Sequence, residues 1–386
     1  MTNVWEQRKL ETVATFSKGN GYSKGDLITS GTPIILYGRL YTKYETTITE
    51  VDTFVDVKQG SVYSKGGEVI IPASGETAED IARASTVEIA GVLLGGDLNV
   101  VTPNEDIDSA FLALSISNGE SHKELEKKAQ GKSVVHIHNA EIMALNIPFP
   151  SKIEQSRISA YFSNLDHLIT LHQRKCNQAE KLKKYMLQKM FPQNGEKNPE
   201  IRFDGFTDDW EQRKLGDIAS RESLSMESSS EFPYVEYEDV IAEEGRLNKD
   251  IRKKENAKKG IAFDGSQVLY GKLRPYLHNW LNPEFPGVAV GDWWVLKPNN
   301  ADKNFVYRII QTQKFDDVAN QSVGSKMPRA DWNLVSNTEF AIPVLQDEQN
   351  KIGKYFTNLD TLITLHQRKC DELKKIKKFM LQNMFV

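Results

Sequence analysis

A thirteen-residue segment occurs twice in the chain with a single difference, and this duplication constrains the fold more than any other feature. The first copy, NLDHLITLHQRKC, begins at Asn164, and the second, NLDTLITLHQRKC, begins at Asn358. The hexapeptide WEQRKL is also duplicated, at Trp5 and Trp210. Because internal repeats define the architecture of a chain, we expect two related halves whose ends are alike.

The duplicated segment belongs to a long predicted helix. No proline or glycine occurs from Ile153 to Met190, and apolar residues alternate spacings of three and four, as in a coiled coil. The positions on this seam are Phe162, Leu165, Ile169, His172 and Cys176 in the first copy, and Phe356, Leu359, Ile363, His366 and Cys370 in the second. Beyond them, Leu182 and Ile376 fall one position early, which predicts a local change of register.

A helix of this kind, roughly 57 Å long at 1.5 Å per residue, needs a partner for its apolar seam. We therefore predict that the two helices form an antiparallel pair related by pseudo-twofold symmetry. The alternative is that each helix packs on its own globular domain. The histidines and cysteines of the seam stand at i and i+4, a spacing that zinc also uses, but a polar layer that fixes the register is favoured and no metal site is predicted.

Short strand-like runs and helical runs are mixed between these helices, so the predicted fold class is α+β. TPIILYGRL from Thr32 reads as a strand, whereas the segments from Ile107 to Ala129 and from Lys303 to Ala319 read as helices. The predicted parts are a globular domain at 1–150, a helix at 151–191, a linker at 192–209, a second globular domain at 210–345 and a second helix at 346–386.

The two globular domains differ in sequence far more than the helices do. This indicates one framework that carries two different binding domains, although duplication followed by uneven divergence is an alternative. Only four residues precede Trp5, whereas the segment EIRFDGFTDD precedes Trp210.

Composition limits the classes of function. The formal net charge of −4 argues against a protein that coats nucleic acid by charge alone, but local basic patches remain compatible with it. No apolar run reaches the roughly 18 residues of a membrane span, so no membrane association is predicted. The chain has two cysteines, which favours a reducing, cytoplasmic setting.

Catalytic motifs are missing from the sequence. We find no phosphate-binding glycine loop of the Walker type, no dinucleotide-binding glycine pattern and no methyltransferase tetrad. Asp56 and Lys58 form a D-x-K triplet that a nuclease could use, but no acidic partner stands at a convincing spacing. His136 and His138 share one strand face without a third ligand, and a metal site is not predicted there.

Polar and aromatic residues suited to DNA occur in four segments of the globular domains. Arginine and lysine can bond guanine edges, asparagine and glutamine can bond adenine, and tyrosine and tryptophan add phosphate bonds or packing. The candidate DNA-binding residues are Tyr37, Arg39, Tyr41, Lys43, Tyr44, Ser74, Glu76, Thr77, Lys272, Arg274, Tyr276, His278, Asn279, Trp280, Gln321, Ser325, Lys326 and Arg329.

The sequence resembles the specificity subunit of type I restriction–modification systems over nearly its whole length. The resemblance is carried by the two WEQRKL segments, IPASGET, YGKLRPYL, GSKMPR and the duplicated helices from LITLHQRKC to MLQ(K/N)MF. It implies two target recognition domains that each read one half of an asymmetric, split DNA site in the major groove. It also implies that the helix pair sets the spacing of the half-sites.

The same resemblance implies that catalysis belongs to partner subunits. Two modification subunits would bring S-adenosylmethionine and methylate adenine N6, and restriction subunits would use ATP and Mg²⁺ to translocate and cut DNA. No cofactor is predicted to bind this chain directly. The rival interpretations are a stand-alone nuclease that uses Asp56 and Lys58, and a scaffold that joins two proteins without binding DNA.

Overall fold

Two compact units make up the chain. The computed structural model describes residues 5–129, 134–193, 195–254, 256–321 and 327–385. Unit 1 contains Met1–Gln173 and Arg368–Val386, and unit 2 contains Arg174–Gln367. Both boundaries fall inside long helices, so each unit combines a globular part with segments of two helices.

The described strands of unit 1 form a five-stranded main sheet, a three-stranded sheet and two short pairs. They are β1 (Glu6–Lys9), β2 (Ala14–Lys18), β3 (Thr32–Ile35), β4 (Thr47–Ile48), β5 (Phe54–Val55), β6 (Glu68–Pro72), β7 (Ser74–Gly75), β8 (Ser85–Val87), β9 (Leu93–Leu94), β10 (Leu98–Pro103), β11 (Val135–His136) and β12 (Asn146–Phe149). The main sheet has the order β2-β10-β6-β8-β4 and is antiparallel except for the β4–β8 pair. The three-stranded sheet has the order β5-β3-β9, and the two short pairs are β1-β12 and β11-β7.

Strand β6 lies at the centre of this sheet, and all five of its residues are buried. Val69 and Ile71 enter one apolar cluster, whereas Ile70 enters another. Successive side chains of a strand point to opposite faces, so the sheet separates two cores. The first of these cores also receives Phe162 of the first long helix.

Unit 1 has five short helices and the start of a long one. They are α1 (Arg39–Thr42), α2 (Ala78–Ile81), α3 (Ser109–Ser117), α4 (Gly119–Lys128), α5 (Asn139–Met143) and α6 (Lys152–Lys189), which continues into unit 2. The strand predicted from Thr32 is therefore too long, because β3 ends at Ile35 and α1 follows.

The helix predicted from Ile107 to Ala129 is also interrupted. Asn118 is extended and Gly119 has a φ of +65°, a left-handed conformation that favours glycine. A Cβ atom at Gly119 would lie 1.5 Å from the carbonyl oxygen of Phe385. The break between α3 and α4 thus makes room for the end of the second long helix.

Unit 2 contains two four-stranded sheets. Its strands are β13 (Glu211–Lys214), β14 (Ala219–Glu222), β15 (Ser225–Glu227), β16 (Tyr234–Val235), β17 (Val240–Ile241), β18 (Arg246–Leu247), β19 (Lys259–Phe263), β20 (Val268–Gly271), β21 (Trp280–Leu281), β22 (Gly287–Ala289), β23 (Trp293–Pro298) and β24 (Glu339–Ile342). The sheet orders are β14-β23-β20-β21 and β15-β19-β22-β16. On β23, Trp293 and Trp294 enter separate apolar clusters.

The helices of unit 2 are α7 (Leu215–Ile218), α8 (Lys303–Ile309), α9 (Gln313–Ala319), α10 (Trp332–Asn337) and α11 (Gln346–Met384), of which the last continues into unit 1. Three-residue 3₁₀ helices occur at Leu10–Thr12, Lys24–Asp26, Tyr237–Asp239, Ile251–Lys253 and Pro275–Leu277. The helix predicted from Lys303 to Ala319 is broken between α8 and α9, where Thr312 caps the second piece.

The repeated sequence builds the same joint at the start of each long helix. Strand β1 pairs with β12 in unit 1 as β13 pairs with β24 in unit 2, and all four strands flank the joint. The Trp5 indole donates to Glu154 at 3.3 Å, and the Trp210 indole donates to Glu348 at 3.2 Å. The duplicated sequence therefore folds into a duplicated joint between the globular part and the helix.

Candidate nucleic-acid interface and spacer helices

Two of the predicted DNA-binding segments lie side by side in unit 2. The Arg274 amide donates to the Pro328 carbonyl at 2.8 Å, and the Ala330 amide donates to the Lys272 carbonyl at 2.8 Å. Leu273 and Arg329 form an isolated bridge. The structure thus gathers the loop 272–280 and the segment 327–330 into one surface, which we call the unit 2 loop surface.

Strained backbone shapes this surface. Arg274 and His278 have φ angles of +50° and +52°, and they flank the 3₁₀ helix Pro275–Leu277. Left-handed conformations cost non-glycine residues roughly 1–2 kcal/mol each, and such residues cluster at functional sites. Arg274 and Tyr276 are exposed on this turn. Nε2 of His278 lies 2.8 Å from the Asp316 carboxylate, which fixes the far end of the loop.

Asp292 holds the cations of this surface. Its carboxylate accepts from Arg329 at 3.0 Å and lies 3.5 Å from Nζ of Lys272. The hydrogen bond from the Arg329 guanidinium keeps the pKa of Asp292 below its usual range. The Asp292 carbonyl accepts from the Tyr237 hydroxyl. Sequence reasoning missed Asp292 and Tyr237, because only strand pairing brings them beside the two basic segments.

The remaining candidates of unit 2 divide between the interior and the surface. Asn279 and Trp280 are buried and His278 is half-buried, so these side chains support the loop from within. Gln321 is exposed, and Ser325 and Lys326 lie outside the described residues. Their contact with DNA stays a prediction.

In unit 1, Arg39 is built into the fold. Its guanidinium is buried and donates to Asp52 at 2.7 Å, to Glu45 at 2.7 Å and to the Glu50 carbonyl at 2.9 Å. Lys43 also donates to Asp52, at 2.9 Å. The hydrogen bonds from Lys43 and Arg39 lower the pKa of Asp52 to about 2. Arg39 therefore fixes the segment that carries the tyrosines.

Tyr41 joins two other candidate segments of unit 1. Its hydroxyl donates to the Ser74 carbonyl at 2.8 Å, and the Ser74 hydroxyl lies 3.2 Å from Nδ1 of His136. Burial raises the pKa of Tyr41, which keeps this hydroxyl protonated as a donor. Around this bond the side chains of Tyr37, Tyr44, Glu76 and Thr77 are exposed, and we call these four residues the unit 1 loop surface.

Thr77 and Tyr44 each have one structural role as well. The Thr77 hydroxyl accepts from the Asp80 amide at 3.0 Å and caps α2. The Tyr44 hydroxyl donates to the Ala84 carbonyl at 3.2 Å, while part of its ring stays exposed. The two loop surfaces therefore present different chemistry, because that of unit 1 is tyrosine-rich and that of unit 2 is cationic.

Equivalent contacts join segments of α6 and α11 within each unit. In unit 1, Lys377 donates to Asp166 at 2.5 Å. In unit 2, Lys183 donates to Asp360 at 2.6 Å. Phe162, Leu165, Cys176, Phe356, Leu359 and Cys370 of the predicted seam are buried, and Ile169, His172, Ile363 and His366 are half-buried.

The predicted change of register is wrong. Leu182 and Ile376 are each 43% exposed, and Lys183 and Lys377 occupy the next inward positions instead. The regular alternation of three and four therefore continues through both lysines. Burial lowers the pKa of Lys183, while its ion pair with Asp360 opposes that shift. The sequence near these lysines gives no sign of this placement, because their acidic partners come from the other helix.

A family model described as type I restriction modification DNA specificity domain matches residues 3–181 and 207–375. The two matches together span most of the chain. The chain belongs to the type I restriction–modification specificity family. Each match contains one globular part and the beginning of the long helix that follows it.

Relatives of this family agree with the assignment. The chain is 20% identical over 346 residues to the type I restriction enzyme MjaVIII specificity subunit of Methanocaldococcus jannaschii, a match that covers 84% of this chain and 80% of the relative. The crystal structure of an S subunit from M. genitalium has a TM-score of 0.67 at 15% identity and covers 100% of this chain and 97% of its own. A structure from work on complex assembly and conformational transition of the type I R-M system has a TM-score of 0.50 at 12% identity and covers 100% of this chain and 98% of its own.

The residues of the rival interpretations have other partners in this specificity subunit. Lys58 of the D-x-K triplet pairs with Asp26 at 2.5 Å, and the Cys176 thiol lies 3.8 Å from both the Ile363 carbonyl and the Gln367 side chain. Among the residues that the structure describes, no three histidine, cysteine, aspartate or glutamate side chains group to hold a metal ion. Within the same residues, no helix is long and apolar enough to span a bilayer.

Proposed function

We propose that this specificity subunit reads an asymmetric DNA site in two halves, one for each unit. Its target recognition domains would be residues 1–150 and 210–345. The observation that carries the proposal is a contrast between the two units. Both have the equivalent strand pair and tryptophan–glutamate bond at the joint, but their loop surfaces differ, with Tyr37 and Tyr44 in unit 1 and Arg274 and Arg329 in unit 2. A constant frame with two different reading surfaces suits a target whose halves differ.

Direct reading would take place in the major groove, where each base pair presents a distinct pattern of donors and acceptors. The exposed guanidinium of Arg274 suits a guanine edge. Arg329 and Lys272 share Asp292, so they reach DNA already oriented. Tyrosine hydroxyls and the Thr77 hydroxyl in unit 1 suit phosphates and base edges.

The long helices would act as an antiparallel coiled-coil spacer with pseudo-twofold symmetry, formed by residues 151–191 and 346–386 and connected through the linker 192–209. The equivalent ion pairs Lys183–Asp360 and Lys377–Asp166 support this arrangement. In each pair, a residue early in one helix meets a residue late in the other. A rigid spacer would set the separation of the half-sites, which must match the helical repeat of DNA.

Each unit would also dock one modification subunit. Exposed apolar residues occur at equivalent positions of the long helices in the two units. The patch of unit 1 consists of Leu168, Ile376 and Phe379, and the equivalent patch of unit 2 consists of Leu362, Leu182 and Tyr185. Leu365 is exposed in unit 2, whereas its counterpart Leu171 is half-buried. Two equivalent patches suit two copies of one partner.

The chemistry would belong to these partners in the cytoplasm. The modification subunits would bind S-adenosylmethionine and methylate adenine N6 after the base leaves the stack. Restriction subunits would use ATP and Mg²⁺ to translocate and cut unmodified DNA. The chain itself would supply recognition, spacing and docking.

A domain exchange tests the proposal. Residues Gly19 to Asn146 are replaced by the corresponding domain of another specificity subunit, and the methylated sequence is determined by methylome sequencing of host cells with and without the gene. We expect one half of the site to change while the other half and the gap remain. A simultaneous change of both halves would refute independent reading. Methylation that remains unchanged when the gene is deleted would refute the function.

A further inference from the structure

In unit 2, the segment Glu200–Asp209 packs against the start of α11. The Arg202 guanidinium donates to both carboxylate oxygens of Glu348, at 2.7 and 2.9 Å. Glu348 is only 1% exposed, so this bidentate hydrogen bond neutralises a fully buried carboxylate. We call Glu200–Asp209 the lead segment.

Aromatic contacts complete the attachment of the lead segment. Phe203 meets the Tyr355 ring edge-on, with ring centroids 6.1 Å apart. The Lys351 ammonium lies 4.7 Å from the centre of the Phe206 ring. Arginine and two phenylalanines of the lead segment thus cover one face of the first three turns of α11.

The equivalent face of α6 in unit 1 lacks these contacts. We call the face at the start of α6 or α11 that can hold a lead segment the receptor. Glu154, Arg157 and Tyr161 stand where Glu348, Lys351 and Tyr355 stand in the other copy. Glu154 accepts from the Trp5 indole, but among the described residues no cation pairs with it. Its carboxylate is half-buried.

The exposure of Tyr161 and a neighbouring cavity agree with an uncovered receptor. Tyr161 is 40% exposed, although its counterpart Tyr355 is covered by Phe203. A cavity of about 390 Å³ adjoins Glu154. Trp5, Glu6, Arg8 and Asp106 are among the other residues that line it. Arg8 is paired with Glu6 at 2.8 Å.

We propose that this face of unit 1 docks an extended peptide segment with the chemistry of Ile201–Phe206, an arginine followed by spaced phenylalanines. The arginine of the occupant pairs with Glu154, and its first phenylalanine covers Tyr161. Two observations select this occupant: the same receptor in unit 2 holds such a segment, and a half-buried carboxylate attracts a guanidinium more strongly than it attracts neutral groups. The proposal does not depend on DNA recognition.

A graft in the full-length chain tests the docking site directly. The sequence of residues 198–209, NPEIRFDGFTDD, is placed before Trp5 in place of residues 1–4, so that the tethered segment meets the site at a high effective concentration and even weak affinity gives occupation. We expect the graft to raise the melting temperature by about 3 °C or more, since bonds between charged groups are among the strongest hydrogen bonds. Hydrogen exchange at residues 152–161 should slow.

A double-mutant cycle identifies the contact. Replacing the grafted arginine with glutamine, or changing Glu154→Gln, should each remove most of the gain, and both changes together should cost no more than either alone. Glu348→Gln serves as the matched control, because it alters the other receptor and should leave the increment from the graft intact. A graft without any gain, or a gain that persists after Glu154→Gln, would overturn the proposal.

Discussion

The ion pairs of the two units differ in one residue, and this difference predicts an unequal response to the same substitution. In unit 2, Asp360 accepts from Lys183 at 2.6 Å and from Arg308 at 2.8 Å. In unit 1, Asp166 pairs with Lys377 at 2.5 Å, and Leu114 occupies the position of Arg308. One carboxylate therefore balances two cations in unit 2 and one in unit 1.

Removal of each carboxylate should expose this asymmetry. Asp360→Asn removes the carboxylate that pairs with Arg308, whose side chain is 1% exposed, and with Lys183, which is 13% exposed. Breaking a buried pair costs about 3–5 kcal/mol, and the 28% exposure of Asp360 favours the lower end, about 3 kcal/mol. Asp166→Asn should cost about 1 kcal/mol, since Asp166 is 36% and Lys377 20% exposed.

Urea unfolding and melting temperatures of the two variants measure the difference. For a unit of this size, about 3 kcal/mol lowers the melting temperature by roughly 6–12 °C. Hydrogen exchange over residues 303–312 should accelerate in Asp360→Asn alone. Equal losses in the two variants would refute the argument that the second cation decides the cost.

A compensating substitution isolates the role of Arg308. Adding Arg308→Leu to Asp360→Asn removes the uncompensated guanidinium and gives unit 2 the leucine of unit 1. We expect the double variant to regain about 1–2 kcal/mol relative to Asp360→Asn. Additive losses would mean that Arg308 stabilises unit 2 through its contacts with the Tyr307 and Phe356 rings and not through its pair with Asp360.

Three further predictions concern recognition. Arg274→Ala should weaken DNA binding by the assembled complex by about 1–3 kcal/mol, and the loss should depend on one base position. Competition among DNA site variants measures this loss. An equal loss for every DNA sequence would indicate a phosphate contact. Inserting four residues near Cys176 and four near Cys370 should lengthen the spacer by roughly 6 Å and change the number of unread bases between the two half-sites in methylome data. An unchanged number would refute the spacer role. Arg329→Ala should raise the pKa of Asp292 towards 3.8, because the hydrogen bond from the guanidinium is lost. In the unsubstituted protein, the stability that this carboxylate contributes is present above pH 3.8 and is lost as the pH falls through its lowered pKa. An NMR titration of Asp292 that shows no difference between the two proteins would contradict the assignment.

Local sequence patterns predicted the long helices well, because repetition and the lack of proline and glycine act over many turns. They failed where the deciding contact is distant in sequence. The breaks at Asn118 and before Thr312 interrupt segments of helical composition, and the inward placement of Lys183 depends on Asp360. A lysine at a seam position carries no local sign that its counter-charge comes from another helix.

Candidate site residues show the same limit. Sequence reasoning selected Arg39 for its chemistry, but three acceptors from the segment Glu45–Asp52 enclose its guanidinium. The loop with Arg274 and the segment with Arg329 were selected separately, and tertiary hydrogen bonds such as those from Arg274 to Pro328 and from Ala330 to Lys272 join them. Composition therefore indicates which residues suit DNA, whereas tertiary pairing decides which of them remain available to it.

The near-identity of the two helices has a physical explanation in their contacts. Each long helix contributes one segment to unit 1 and another to unit 2. The sequence copy that supplies Asp166 to unit 1 also supplies Lys183 to unit 2, and the second copy supplies Asp360 and Lys377 in the same way. A substitution in one copy therefore disturbs a pair whose other member belongs to the other copy, and it also changes the face that the helix offers to a partner subunit.

The loop surfaces escape this constraint. The Tyr44 hydroxyl donates to the Ala84 carbonyl and the Arg274 amide donates to the Pro328 carbonyl, so these bonds lie within the globular parts and not in the joints. The cost of a change in a loop is local, whereas the cost of a change in a helix includes the unpaired charge that remains on its neighbour. Unequal costs of this kind are sufficient to keep two helices alike while the recognition surfaces between them diverge.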